Sequence, residues 1–248
     1  MRELRVLPDL ESLSQAVAES LADRIGAAVA QRGRCALVLP GGGTPRRLYE
    51  LLAERHATAI PWPRVDLFWG DERYVPPDDP RSNYRLARLT LLDRVAIPAG
   101  NVHAMPTHHA DPDGGARQYE ALLRGYFQAG PPRFDLILLG MAADGHVASL
   151  FPHHPALTER HRWVIAATVP ADPPHRLTMT FPLINEAGAV AFVVSGPAKA
   201  EAVRRVLLPG TAVDDVPAVG VAPESVVVTW WLDAAAAGGL SAPPAPQS

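Results

Sequence analysis

The chain has 248 residues, 48% of them hydrophobic, and a formal net charge of −3. That length suits one large α/β domain or two small ones with a substantial core. The balance is slightly acidic and contains no basic run, which gives no electrostatic reason to expect nucleic acid or an anionic membrane as partner. The single cysteine, Cys35, excludes an internal disulfide and a cysteine-rich zinc site.

The opening "MRELRVLPDLE" is charged and lacks the apolar stretch of a signal peptide. No apolar run approaches the ~20 residues of a membrane span. A soluble, cytoplasmic chain is the expectation. Leu10, Leu13, Val17, Leu21, Ile25 and Val29 recur at helical spacing, with Asp9 placed to cap the start and Gly33 to end the helix. "CALVL" (35–39) reads as a buried strand, which makes Cys35 a buried thiol rather than a nucleophile. "PGGGTP" follows, with Thr44 expected as N-cap and Pro45 at the first position of a helix carrying Leu48, Leu51 and Leu52.

"VDLFW" (65–69) is the next strand, and "GDERYVPPDDPRSN" reads as a long polar loop. Ser82 or Asn83 can cap a helix through Leu86, Leu89 and Leu92. "NVHAM" (101–105) reads as a short strand, and Asp113 is expected to begin a helix through Tyr119, Leu122 and Leu123. "FDLILLG" (134–140) is the clearest buried strand. "WVIAATV" (163–169), "RLTMTF" (176–181), "AVAFVVS" (189–195) and "SVVVTWW" (225–231) complete the set, with a helix from Pro197 to about Leu207 between the last two. Strands alternating with helices, several of them apolar throughout, predict an α/β, Rossmann-like fold: a mostly parallel sheet with helices on both faces. A single domain over 1–240 is expected, and the Pro/Ala-rich segment 241–248 reads as a disordered tail.

Ligands of such sheets bind beyond the carboxyl ends of the strands, so the loops leaving them carry the chemistry. In "PGGGTP", glycines ahead of a helix N-terminus suit an anion. A dinucleotide fingerprint fails at Arg46, and the Gly-Lys-Ser/Thr ending of a Walker loop is missing. One phosphate, or an ordinary turn, remain as readings of the glycines alone. "GMAADGHVASLF" places Asp144 and His146 just past a strand. His146 is either a general base working near neutral pH or a cap for a short helix begun by "VASLF". "GDER" is a solvated, salt-bridged turn or a source of Asp71 and Arg73 for the shared crevice. In the alternating "RLTMTF", Arg176, Thr178 and Thr180 share one face, and Arg176 is a phosphate clamp or half of a surface ion pair. Lys199 opposes the dipole at the start of its helix, which a nearby anion would explain. The nine histidines include no HExxH spacing, so no metal is expected, and Ser149 lacks the flanking glycines of a nucleophile elbow.

Taken together and in this order, "PGGGTP", "WGDERYVPPDDPRSNYR", "FDLILLGMAADGHVASLFP" and "RLTMTFPLINEAGAVAFVVSGPAKAEAV" resemble the 6-phosphogluconolactonase family over roughly residues 10 to 233. The related glucosamine-6-phosphate deaminases share the fold and parts of the first three motifs. The resemblance implies hydrolysis of 6-phospho-D-glucono-1,5-lactone in the oxidative pentose phosphate pathway, without metal, cofactor or covalent nucleophile. It assigns His146 as base, Asp144 as the group orienting it or a substrate hydroxyl, and Arg73 or loop N–H groups as oxyanion donors, with Asp71 beside them. Gly42, Gly43, Thr44, Arg176 and Lys199 would hold the phosphate. The expected partner is a small sugar-phosphate lactone, and the expected state a monomer. The family usually has Ser where Gly43 stands, Gly where Ala142 stands and Thr where Val147 stands; the first departure predicts weaker or rearranged phosphate binding. The deaminase alternative resembles "DGHxAFNEP" in this segment, and its catalytic Glu is replaced here by Phe151. A non-catalytic sugar-phosphate sensor would carry a preceding helix-turn-helix, for which a domain beginning near residue 10 leaves no room, and would not need His146.

Overall fold

The computed structural model describes residues 2–128 and 130–240, so the predicted tail at 241–248 lies outside the described residues. Seven strands form one all-parallel sheet in the order β1-β10-β9-β6-β2-β3-β5. They are β1 (Arg2–Leu7), β2 (Cys35–Leu39), β3 (Val65–Trp69), β5 (Val102–His103), β6 (Leu136–Leu139), β9 (Val190–Val194) and β10 (Val228–Asp233). Strands β2, β6 and β9 are buried along their whole length, which is why they read as unbroken apolar runs. A second, antiparallel sheet pairs β4 (Asp71–Arg73), β8 (His175–Met179) and β7 (Val164–Thr168) in the order β4-β8-β7.

Both faces of the large sheet are covered. Phe68 and Trp69 are neighbours on β3 and point to opposite faces. Phe68 packs edge-on to Tyr126 of α4 (Pro112–Phe127), and Trp69 to Tyr84 of α3 (Asn83–Thr90). The long helix α1 (Leu10–Arg32) buries Leu13, Val17, Leu21 and Ile25 and packs against α2 (Thr44–Arg55). Its ends are as expected: Asp9 accepts from the Ser12 N–H at 2.8 Å, and Gly33 closes it at φ 75°.

Several local expectations are corrected. Gly43, not Thr44, is the N-cap of α2, and Thr44 is its first helical residue; no side chain caps this end. Asp111, not Asp113, caps α4, because Pro112 takes the first helical position, where a missing N–H costs nothing. "VASLF" begins no helix: Val147 and Leu150 close a tight turn, with the Leu150 N–H 2.8 Å from the Val147 carbonyl. The "GDER" loop contains β4, and Arg2–Leu7 forms an edge strand that its charged, exposed residues concealed. Strand β8 buries both of its faces, Arg176 and Thr178 as well as Leu177 and Met179.

The chain moves from β2 outward to β3 and β5, then returns through α4 to place β6 on the other side of β2. The carboxyl ends of β2 and β6 therefore flank a topological switch point, the position at which such sheets hold ligands.

Candidate active site

The loops leaving β2 and β6 line a cavity of about 260 Å³. Gly42, Gly43, Thr44, Asp71, Arg73, His146, Arg176 and Lys199 all face it. Eight of the nine residues singled out in the sequence thus converge from distant segments. The ninth, Asp144, reaches it through His146. A larger groove of about 820 Å³ lies elsewhere, along Arg133, Phe181, Asn185 and Glu224, and holds none of them. Size favours that groove; chemistry favours the smaller cavity, since among the described residues only there do a histidine, a glycine loop and cations without a carboxylate partner meet.

The glycine loop has two distinct needs. Gly42 adopts φ 92°, a region that glycine occupies without strain. Gly43 has ordinary backbone angles and open space where a Cβ would stand. The first turn of α2 contains no acidic residue and no side-chain cap, so its positive end faces the cavity unneutralised. Tyr49, one turn on, donates to the Pro40 carbonyl at 2.6 Å and anchors the loop from beneath.

His146 lies on a turn held by hydrogen bonds from Gly145 N to the Ala142 carbonyl and from Ala142 N to the His146 carbonyl, both 3.1 Å. Gly145 is in the left-handed region at φ 83°, and Ala148, a non-glycine residue lining the cavity, is held at φ 48°. Ala142 has no positive φ, so this turn does not require the family's usual glycine. Val147 is fully buried, and its methyls pack in the core. The His146 ring meets Asp144 Oδ1 through Nδ1 at 2.8 Å and stacks on Phe151 with centroids 3.8 Å apart. A carboxylate on Nδ1 fixes the tautomer with the proton there, leaving the Nε2 lone pair with no partner among the described residues. Partial burial pushes the Asp144 pKa up, but the hydrogen bonds and charge of His146 outweigh it and hold the carboxyl below the usual aspartate value.

Strand β4 supplies Asp71, Glu72 and Arg73. Asp71 is buried and accepts from Ser149 Oγ at 2.7 Å and from Asn83 Nδ2 at 3.1 Å. Glu72 faces away from the cavity. It accepts from the N–H groups of Arg73, Asn83 and Tyr84 and from Ser82 Oγ, so it braces the start of α3, whose N-cap is Ser82, one of the two expected residues. Burial raises its pKa despite those donors. The alternatives left open by the sequence divide here: Asp71 turns to the cavity, and Glu72 is structural.

Arg73 stands directly opposite Arg176 in the β4–β8 register. Like charges so placed are destabilising. Neither has a carboxylate partner among the described residues: Arg73 donates to the Arg81 carbonyl, Arg176 to those of Pro173 and Asp172, and Arg73 Nε is buried without a partner. Burial lowers the Arg176 pKa from the ordinary arginine value, and Arg73 adds to this against the pull of Asp71. Two apposed, partly desolvated guanidiniums are a site in want of an anion. Lys199 joins them from the loop after β9. That loop is fixed by buried Asp233 of β10, which accepts from Ser195 Oγ and the Gly196 N–H.

Sequence reasoning missed Asn83, Ser149 and Phe151 as parts of the site. Ser149 meets Asp71 across 78 positions of chain, a distance over which no local pattern reports.

The model of a family described as glucosamine-6-phosphate isomerases/6-phosphogluconolactonase matches residues 8–230. A 6-phosphogluconolactonase of Synechocystis sp. is 44% identical over 93% of this chain and 95% of its own. That of Mycobacterium tuberculosis is 42% identical over 96% and 98%. Among solved structures, a 6-phosphogluconolactonase from Trypanosoma brucei superposes with TM-score 0.87 at 29% identity, covering 97% of this chain and 99% of that one. A monomeric glucosamine-6-phosphate deaminase reaches 0.81 at 24% identity over 96% and 99%, a likeness of fold. The chain belongs to the glucosamine-6-phosphate isomerase/6-phosphogluconolactonase family.

Proposed function

We propose that the chain hydrolyses 6-phospho-D-glucono-1,5-lactone to 6-phospho-D-gluconate, in the oxidative branch of the pentose phosphate pathway. One observation carries this reading: a single cavity joins a histidine base, held by Asp144 with Nε2 unpartnered, to an anion site built from three cations and an uncapped helix N-terminus. A base and a remote phosphate anchor are what a phosphorylated lactone requires.

In this mechanism the phosphate rests on Gly42, Gly43 and Thr44, with Arg176 and Lys199 supplying charge. Water attacks the lactone carbonyl carbon as His146 Nε2 takes its proton, and Asp144 stabilises the resulting imidazolium. Negative charge develops on the carbonyl oxygen, for which Arg73 and loop N–H groups are the available donors. Collapse of the tetrahedral intermediate expels the ring oxygen, and the imidazolium returns the proton to it. The ring opens to a carboxylic acid and a hydroxyl, and the acid loses its proton to solvent to leave the carboxylate.

The stack of Phe151 on His146 puts an aromatic ring, not a second carboxylate, beside the base, which favours ester hydrolysis over deamination. One continuous core runs from Leu13 to Ala236, which supports a single domain as the working unit. Lactone hydrolysis measured at slightly acidic pH, where the spontaneous reaction is slower, tests the reading, with ammonia release from glucosamine-6-phosphate measured in parallel. Turnover of the lactone without ammonia is expected, and ammonia without lactone turnover would overturn it. His146→Ala should lower kcat by about 10²–10⁴-fold, the contribution of a positioned base; near-normal kcat would remove His146 from that role.

A further inference from the structure

Asn83 is fully buried at the start of α3 and lines the cavity. Its Nδ2 donates to the Asp71 carbonyl at 2.9 Å and to Asp71 Oδ1 at 3.1 Å. Both partners are acceptors, so the amide can face only one way. Its Oδ1 is left buried with no hydrogen-bond partner among the described residues. Such an atom is uncommon and calls for a reason. What it meets is the glycine loop. A Cβ on Gly41 would stand 2.0 Å from Asn83 Oδ1 and 2.2 Å from its Cγ, so only a hydrogen fits. Gly41 has no positive φ. Its glycine is required by the space Asn83 fills, unlike that of Gly42, which the backbone angle requires.

We propose that Asn83 is a positioning residue that locks the phosphate loop to Asp71, with Gly41 as the surface it bears on. The amide is fixed on one side by hydrogen bonds to β4 and fills the gap to the β2 loop on the other. The two walls of the cavity, the anion-binding glycines and the strand carrying Asp71 and Arg73, are thereby held at one separation. This rests on the lactonase reading for its substrate but not for its geometry.

The test is a double-mutant cycle of Gly41→Ala and Asn83→Ala, followed by steady-state kinetics on phosphorylated and unphosphorylated gluconolactone and by thermal unfolding. Asn83→Ala should raise KM for the phosphorylated lactone about tenfold, with kcat within about threefold and little change on the unphosphorylated one, because a loosened anchor misplaces the phosphate before the reacting carbon. Gly41→Ala should be the more damaging alone and should lose most of its effect when Asn83 is also Ala, since the collision is gone. Asn83→Ser clears the same space while keeping a short donor near Asp71, and serves the same cycle where Asn83→Ala folds poorly. Equal losses from Gly41→Ala in both backgrounds, or equal effects of Asn83→Ala on the two substrates, would overturn the lock. If the wild-type chain turns over no lactone, that failure belongs to the functional reading. The lock is then scored on unfolding alone: a Gly41→Ala drop in Tm that shrinks beside Asn83→Ala supports it, and an unchanged drop refutes it.

Discussion

At the scale of single residues, the anion site is defined by charges that the protein leaves unbalanced. Arg73 and Arg176 oppose one another across β4 and β8 without a carboxylate between them. Folding alone gains nothing from that arrangement, whereas a bound phosphate offsets it. Arg176→Ala should therefore raise KM for the phosphorylated lactone by tenfold or more, roughly what one charge-assisted hydrogen bond contributes, and leave unphosphorylated gluconolactone almost unaffected. Equal losses on both would contradict the phosphate role. Asp144 makes a different prediction, from its lowered pKa. A carboxyl whose folded pKa lies below its unfolded value contributes stability that is present above the unfolded value and lost as pH falls through the folded one. The ordinary value is 3.8. The difference in Tm between wild type and Asp144→Asn should thus close as pH falls to that value and below it. A difference that persists unchanged well below that pH would show that Asp144 contributes no stability through its ionised form.

At the scale of elements, the N-terminus of α2 is the feature most open to improvement. Gly43 caps it with no side chain, at ordinary backbone angles and with nothing within 4 Å of the position a Cβ would take. Gly43→Ser should fit without displacement. Stability should move by only a few tenths of a kcal/mol, as is usual between glycine and serine at an N-cap. KM for the phosphorylated lactone should fall by up to about tenfold, since a hydrogen bond to a charged group contributes about 1.5 kcal/mol; an unchanged or higher KM would place the phosphate away from residue 43. Elements also show what sequence can report. Strands β2, β6 and β9 are legible because full burial in a parallel sheet demands continuous apolar residues. His146 and the glycines are legible because they follow such strands, and Arg176 because it lies near the head of the alternating β8. Strand β1 is not, because an edge strand with exposed Arg2, Glu3 and Arg5 carries no burial signal. Strand β4 is not, because three residues ending in charges gain their regularity only from pairing with β8 about a hundred positions away. The cap of α2 is hidden for a similar reason. Thr44 suits an N-cap locally, but the turn made by Gly42 at φ 92° starts the helix one residue earlier and delivers Gly43 there instead.

At the scale of the whole molecule, the cavity is a meeting of segments from residue 40 to residue 199, none of which forms it alone. The β3–β4 turn joins the two sheets, with the Gly70 N–H donating to the Leu39 carbonyl and the Met179 N–H to that of Gly70. The carboxyl end of β10 fixes the Lys199 loop through Asp233. Unfolding any one of these parts disperses the anion site, so a ligand of the site binds the native state and not the unfolded chain. Stability must then rise with ligand as RT ln(1 + [L]/Kd), about 2.7 kcal/mol at a hundredfold excess over Kd. With the phosphate as the proposed anchor, 6-phosphogluconate should raise Tm in this way while gluconate at the same concentration does not. Arg176→Ala should reduce the shift, and His146→Ala should retain most of it, since the proposed mechanism puts the base at the reacting end and the cations at the other. A shift that depends on His146 and not on Arg176 would reverse the orientation of substrate in the cavity.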